Sequence, residues 1–161
     1  MQNHTQLRTG IGTDVHAFDA SVVLWLGLVE WPGTPGLAGH SDGDVVAHAI
    51  CDALFSATGT GDMGSNFGTD RPEFQNASGE TFIKAALEII SEAGFKPINI
   101  AVNVIGNQPK ISSRRQEMQD AISKVLNAPV SISGTTTDGL GLTGRAEGVA
   151  AIATCLVEEL A

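Results

Sequence analysis

The residues in this chain best suited to chemistry are Asp14, His16, His40 and His48, and three of them have the types and spacing of a metal-binding set. Asp14-Val15-His16 closes a stretch that reads as a strand from Leu7 to Val15, interrupted by Gly10 and Gly12 as suits close backbone approaches, and residues two apart on a strand share a face. His40-Ser41-Asp42-Gly43-Asp44 leads into a segment that reads as a helix over Asp42 to Thr58, capped by Ser41 or Asp42. Asp44 and His48, four apart on it, are neighbours on one surface. Two imidazoles and a carboxylate (Asp14, His16, His48) suit Zn²⁺, and three protein ligands leave a position open for a substrate atom. Spacing alone equally allows a strand-end turn at Asp14 and a packed or surface role for His48. The fourth histidine, His4, lies in a terminal segment apart from the cluster.

A second group of residues suits phosphate. Gly134-Thr135-Thr136-Thr137-Asp138-Gly139 follows a predicted strand, with Gly144-Arg145 shortly after. Hydroxyls and successive backbone N–H groups hold phosphate oxygens, and an aspartate holds a hard cation that bridges them. An ordinary polar turn fits the same residues. Asn107-Gln108-Pro109-Lys110 reads as a rigid turn able to cup a ligand with main-chain groups, or as a plain strand-to-helix connection. Gly59-Thr60-Gly61-Asp62-Met63-Gly64 lacks the Gly-Lys-Ser/Thr ending of a nucleotide-triphosphate loop, which argues against a triphosphatase. No Ser-His-Asp or Cys-His set stands out, so no protein nucleophile is expected.

The elements that must position these groups fit one domain over residues 1–161, with 42% hydrophobic and 17% charged residues. After the first strand come an apolar stretch at Val22 to Val29 and a turn-rich Trp31 to Gly36. Helices are predicted at Ser78 to Ala93, stopped by Gly94, and at Ser112 to Asn127; strands at Ile98 to Ile105 and Val130 to Thr136. Gly148 to Leu160 fits a helix or a buried strand. This alternation predicts an α/β sandwich. The nine basic and eighteen acidic residues give a formal net charge of −9, which disfavours nucleic acid and anionic membranes as partners. A phosphorylated substrate would then need local cations. Cys51 and Cys155 make neither a disulfide framework nor a thiolate zinc site, and neither a leader nor a membrane span is evident, so a cytoplasmic protein is expected.

Five segments together resemble one family closely: GTDVHAF (Gly12 to Phe18), GLAGHSDGDVVAHAICDAL (Gly36 to Leu54), GTGDMGSNF (Gly59 to Phe67), NQPKI (Asn107 to Ile111) and TTTDGLGLTGRAEGVA (Thr135 to Ala150). The chain resembles the 2-C-methyl-D-erythritol 2,4-cyclodiphosphate synthases of the non-mevalonate route to isoprenoids. The resemblance implies a ferredoxin-like α+β sandwich, a mixed sheet with helices on one face, assembled as a homotrimer with active sites between subunits. It implies conversion of 4-diphosphocytidyl-2-C-methyl-D-erythritol 2-phosphate to the cyclic diphosphate with release of CMP. A metal-dependent phosphohydrolase is the alternative.

The resemblance assigns zinc to Asp14, His16 and His48, and transition-state stabilisation to His40 and Thr136. Substrate contacts fall to Asp14, His16, His40, Ser41, Asp62, Met63, Gly64, Phe67 and Asp70 on one side. On the other they fall to Gly106, Asn107, Gln108, Pro109, Lys110, Ile111, Ser112, Thr135, Thr136, Thr137, Asp138, Leu142 and Arg145. A second ion, Mg²⁺ or Mn²⁺, is expected on the diphosphate near Asp138. The family usually has Glu there, and the shorter Asp leaves room for an intervening water. Gly68-Thr69-Asp70-Arg71 departs from the family's Pro-Asp-Thr-Asp and introduces a cation, Arg71, able to meet a phosphate. Arg145 and Glu147 match positions near the family's threefold axis, where an anionic isoprenoid can sit.

Overall fold

The computed structural model describes residues 6–160; His4 lies outside them. Strand β1 (Leu7–Leu26) turns into β2 (Val29–Leu37) through Gly27 and Leu28, whose φ values of 62° and 64° are those of a two-residue hairpin turn. Helices α1 (Val45–Thr58), α2 (Met63–Phe67) and α3 (Gly79–Glu92) follow, then β3 (Phe95–Ile105), α4 (Arg115–Leu126), β4 (Val130–Thr135), the single turn α5 (Gly141–Gly144) and β5 (Gly148–Glu159). The five strands form one mixed sheet in the order β2-β1-β5-β3-β4, with β3 and β4 parallel and the other pairs antiparallel.

Three sequence expectations are corrected. The first strand does not end at Val15: residues 7–17 pair with β5, and residues 18–26 then pair with β2. Trp31 to Gly36 lies within β2 and not in a turn, because β2 is an edge strand and its prolines withhold no inner ladder bond. Two register shifts opposite this stretch take up its irregularity. The cap of α1 is Asp44, not Ser41 or Asp42. The ambiguous last segment is a strand, held between β1 and β3. The helices at Ser78 and Ser112 appear as α3, capped by the Ser78 hydroxyl, and as α4 behind a 3₁₀ turn at Ile111–Ser113.

One sheet face carries the core. Val149, Ala151, Ala153 and Val157 of β5, with Ile100, Val102 and Val104 of β3, are buried beneath α1, α3 and α4, while Ile152 and Thr154 point the other way and are exposed. Helix α1 lies directly on β1 because two glycines allow it. A Cβ at Gly10 would fall 2.0 Å from the Ala53 carbonyl oxygen, and one at Gly12 2.1 Å from that of Ala49. This close approach brings His48 against Asp14 and His16. Gly12→Ala is therefore expected to push α1 off the strand, costing at least about 1–3 kcal/mol and weakening metal binding. Denaturant unfolding and zinc titration check this; a variant with unchanged values for both would contradict it.

Candidate active site and metal centre

Asp14 and His16 leave β1 on the face that α1 covers, and His48 descends from the first turns of α1 between them and Phe82. The Asp14 Oδ2 atom lies 3.0 Å from His16 Nε2 and 3.0 Å from His48 Nδ1. The His16 and His48 ring centroids are 5.4 Å apart, and the Phe82 ring meets His48 edge-on at 5.2 Å. One ligand atom from each of the three residues lies within 4.8 Å of the others. A tetrahedral zinc with donors near 2.0–2.1 Å sets those donors roughly 3.3 Å apart, so the two Asp14–imidazole separations of 3.0 Å need to open by only a few tenths of an ångström. The donor set and its spacing fit an ion with an open coordination position.

The electrostatics of the metal-free cluster point the same way. Burial works to raise the Asp14 carboxyl, but hydrogen bonds from His16 and His48 outweigh it and hold the group at about 2, below its ordinary 3.8. His16 is raised above 6.5, chiefly by its bond to Asp14, against the opposing effect of burial. An incoming cation therefore replaces protons at a preformed anionic centre. For the metal-free protein the sign at Asp14 follows from its lowered value. Its stabilisation is complete above about pH 4 and is lost as pH falls towards 2, about 2 kcal/mol in all. Unfolding of chelator-treated protein between pH 7 and 2 should show this loss, and Asp14→Asn should flatten it. An identical pH slope in the variant would contradict it.

Around the triad the expected residues divide into two groups. His16, His40, Ser41, His48, Met63, Gly64 and Phe67 line one cavity of about 230 Å³, walled by Phe74 and Phe82. Beside it a cavity of about 300 Å³ brings together His40, Asp70 and Arg71. Asp62 caps α2, its carboxylate accepting from Ser65 N–H at 2.7 Å. Gly106, Asn107, Pro109, Lys110, Ile111, Ser112, Thr135 and Thr136 line a third cavity of about 370 Å³, which shares no residue with the first two. Asn107 Nδ2 donates to the Gly144 carbonyl at 2.9 Å and so ties this group to α5, beside Leu142 and Arg145. The Thr137 hydroxyl is turned to the Leu140 carbonyl at 2.6 Å. Arg145 is paired with Glu147 at 3.0 Å, and Asp138 is exposed with φ 52°.

The sheet register separates the two groups. Asp14 pairs with Ala151, Ala151 with Val104, and Val104 with Gly134. Three interstrand spacings, roughly 14 Å, therefore lie between the metal-side strand and the threonine loop of one chain.

Sequence reasoning missed the carboxylates that hold this site from beneath. Asp44, read from spacing only as a neighbour of His48 along the helix, is fully buried and accepts from Gly27, Leu28, Val46 and Ala47 N–H at 2.8–3.1 Å, joining the hairpin turn to the start of α1. Asp42 accepts from Asp44 and Gly79 N–H and ties in α3. Asp52 accepts from Met63 N–H at 2.8 Å and fixes α2 over the cavity. A capping aspartate before a helix was the available signal for Asp44; its hairpin contacts carry no local signal.

Residues 7–158 match the model of the YgbB family. The chain belongs to the YgbB family. Among relatives of this YgbB member, the 2-C-methyl-D-erythritol 2,4-cyclodiphosphate synthase of Cutibacterium acnes is 50% identical, over 94% of this chain and 91% of that one. The enzyme of the same name from Acidothermus cellulolyticus is 48% identical over 93% of each. The bifunctional enzyme IspD/IspF of Clavibacter michiganensis is 58% identical over 97% of this chain, which spans only 38% of that longer protein. Among solved structures, the bifunctional IspDF of Campylobacter jejuni superposes with a TM-score of 0.92 at 36% identity, covering 98% of this chain and 43% of that one. A CDP complex of Plasmodium falciparum IspF gives a TM-score of 0.82 at 29% identity, covering 99% and 100%. The YgbB fold here is thus a mixed α/β fold with a five-stranded sheet.

Proposed function

We propose that this chain converts 4-diphosphocytidyl-2-C-methyl-D-erythritol 2-phosphate to 2-C-methyl-D-erythritol 2,4-cyclodiphosphate and CMP, as a CMP-forming lyase of non-mevalonate isoprenoid biosynthesis. The observation that carries this reading is the Asp14-His16-His48 triad opening on a cavity, in a chain of this family. In the reaction a 2-phosphate oxygen attacks the β-phosphorus of the same molecule. A new P–O–P bond forms, the bond from the β-phosphorus to the bridging oxygen breaks, and CMP leaves with that oxygen. No protein nucleophile is required; positioning and charge neutralisation are.

Asp14, His16 and His48 would hold zinc, and Asp138 a Mg²⁺ or Mn²⁺ shared with the diphosphate, directly or through water. Bound there, the cations would neutralise phosphate charge and polarise the phosphorus. His40, exposed at the rim of the metal cavity, would donate to phosphoryl oxygens from one side and the Thr136 hydroxyl from the other. Arg71, beside His40, would add a cation on the metal side. Gly106 to Ser112 would enclose the cytosine largely through backbone groups, and Asp62 to Gly64 the ribose. The Plasmodium falciparum protein's complex with CDP supports a cytidine nucleotide as the substrate class. A phosphohydrolase would use the same triad but release inorganic phosphate, and the named relatives favour the synthase.

We further propose a homotrimer with each site built between two subunits. The metal side and the Thr136 loop must reach one diphosphate, yet roughly 14 Å of sheet separates β1, which carries Asp14, from β4, which leads into Thr136, within one chain. The sheet face away from the helices also leaves Ile11, Val15 and Ile152 exposed, the pattern of a surface awaiting a second copy. The ferredoxin-like description is retained on the split βαβ arrangement of β1, α1 and β3 with β5 between the strands. No helix among the described residues is long and apolar enough to cross a membrane. Two free, buried cysteines suit a cytoplasmic setting.

A further inference from the structure

The two metal-facing imidazoles are held from behind by one short segment, and from it we infer a role for Ser41. We propose that Ser41 is a positioning residue whose hydroxyl sets the His48 ring so that Nδ1, and not Nε2, faces Asp14 and the ion. The inference rests on the reading of Asp14, His16 and His48 as zinc ligands. It adds to the substrate contact that the family resemblance implies for Ser41, which also lines the metal-side cavity.

Ser41 Oγ lies 3.2 Å from His48 Nε2, while Nδ1 of the same ring faces Asp14 Oδ2 at 3.0 Å. The same Oγ accepts from Gly43 N–H at 3.3 Å, which holds the hydroxyl in place. His16 is braced in the mirrored sense. Its Nδ1–H donates to the Ala38 carbonyl, leaving Nε2 to face Asp14. A carbonyl can only accept, so the ligating nitrogen of His16 is fixed as Nε2. Phe82 packs edge-on against His48 and presents it no polar atom, so Ser41 is what distinguishes the ring's two orientations. Both braces come from Ala38 to Ser41, the segment that also carries His40. A ligand ring whose far nitrogen is already bonded is pre-oriented for the metal, and loss of such a partner weakens binding about 10–100-fold.

The test measures zinc affinity of the full chain by competition with a chromophoric chelator, and the visible absorption of the Co²⁺-substituted protein, both without substrate. Ser41→Ala should weaken zinc binding about 10–100-fold and alter the cobalt spectrum, while Ser41→Thr, which keeps the hydroxyl, should restore both. Gly39→Ala probes the other brace without backbone strain: its methyl would lie 3.0 Å from His16 Cε1 and 3.1 Å from Nδ1. It too should weaken zinc binding, and it serves as the test if Ser41→Ala does not fold. In Ser41→Ala the apparent KM should rise at limiting zinc and fall as zinc is raised. Wild-type zinc affinity with a KM rise that zinc does not reverse would overturn the proposal and leave Ser41 its substrate contact alone. Zinc retained by His48→Ala would overturn the zinc reading itself, whereas zinc lost there but held normally by Ser41→Ala would overturn only this inference.

Discussion

Replacing His48 by alanine is expected to abolish zinc binding and to slow CMP formation by more than about a thousandfold, the several kcal/mol that a cation on a phosphoryl group supplies. His48 is 7% exposed, and among the described residues its Nδ1 and His16 Nε2 are the two nitrogens 3.0 Å from Asp14 Oδ2. Without it, one carboxylate and one imidazole remain, and no other His or Cys of the described residues joins the cluster. Alanine also has the higher helix propensity, and the helix is anchored independently by Asp44, so α1 should persist. The loss is therefore of metal and not of fold. Elemental analysis for zinc, circular dichroism and CMP release by chromatography measure the three separately. Stoichiometric zinc in a folded His48→Ala protein would show the ligand assignment to be wrong.

Mixing two variants impaired on opposite sides of the site should restore activity. Asp14→Ala removes the carboxylate that His16 and His48 face behind one cavity, Lys110→Ala changes the lining of the other, and the two cavities share no lining residue. If a site joins the metal side of one subunit to the Lys110 side of its neighbour, a mixed trimer contains some sites carrying neither substitution. Random assembly at equal ratio makes about a quarter of all sites intact, since each of two independent subunits must be unsubstituted at its own half. Co-refolded mixtures should thus exceed the activity of either variant alone, the intact quarter of sites working at the wild-type rate. No recovery in verified mixed trimers would place the complete site within one chain.

Much of this arrangement was legible in the sequence, and the parts that were not share a physical origin. Asp14 and His16 were readable because a strand's two-residue period puts them on one face, and Gly10 and Gly12 were readable as close approaches. The distances of 2.0 and 2.1 Å at their absent Cβ atoms bear that out. Trp31 to Gly36 misled because proline and glycine signal turns wherever an inner ladder is assumed, and an edge strand tolerates them. Gly148 to Leu160 stayed open because small apolar residues are buried in either conformation; pairing on both sides with β1 and β3 decided it. The hairpin contacts of Asp44 were not legible since its partners, Gly27 and Leu28, are distant in sequence. The bond of the Ser41 hydroxyl to His48 Nε2 at 3.2 Å was not legible, because ring orientation is something no spacing rule encodes. The separation of the threonine loop from the triad depends on strand order, which the sequence pattern left undetermined.

The central claim is the reaction itself, and product analysis tests it most directly. The purified chain, shown to contain zinc, is incubated with 4-diphosphocytidyl-2-C-methyl-D-erythritol 2-phosphate and Mg²⁺, and nucleotide, cyclic diphosphate and inorganic phosphate are followed by chromatography. CMP and the cyclic diphosphate should appear in equal amounts with no inorganic phosphate. Absence of CMP from the zinc-loaded protein, or release of inorganic phosphate in its place, would contradict the account.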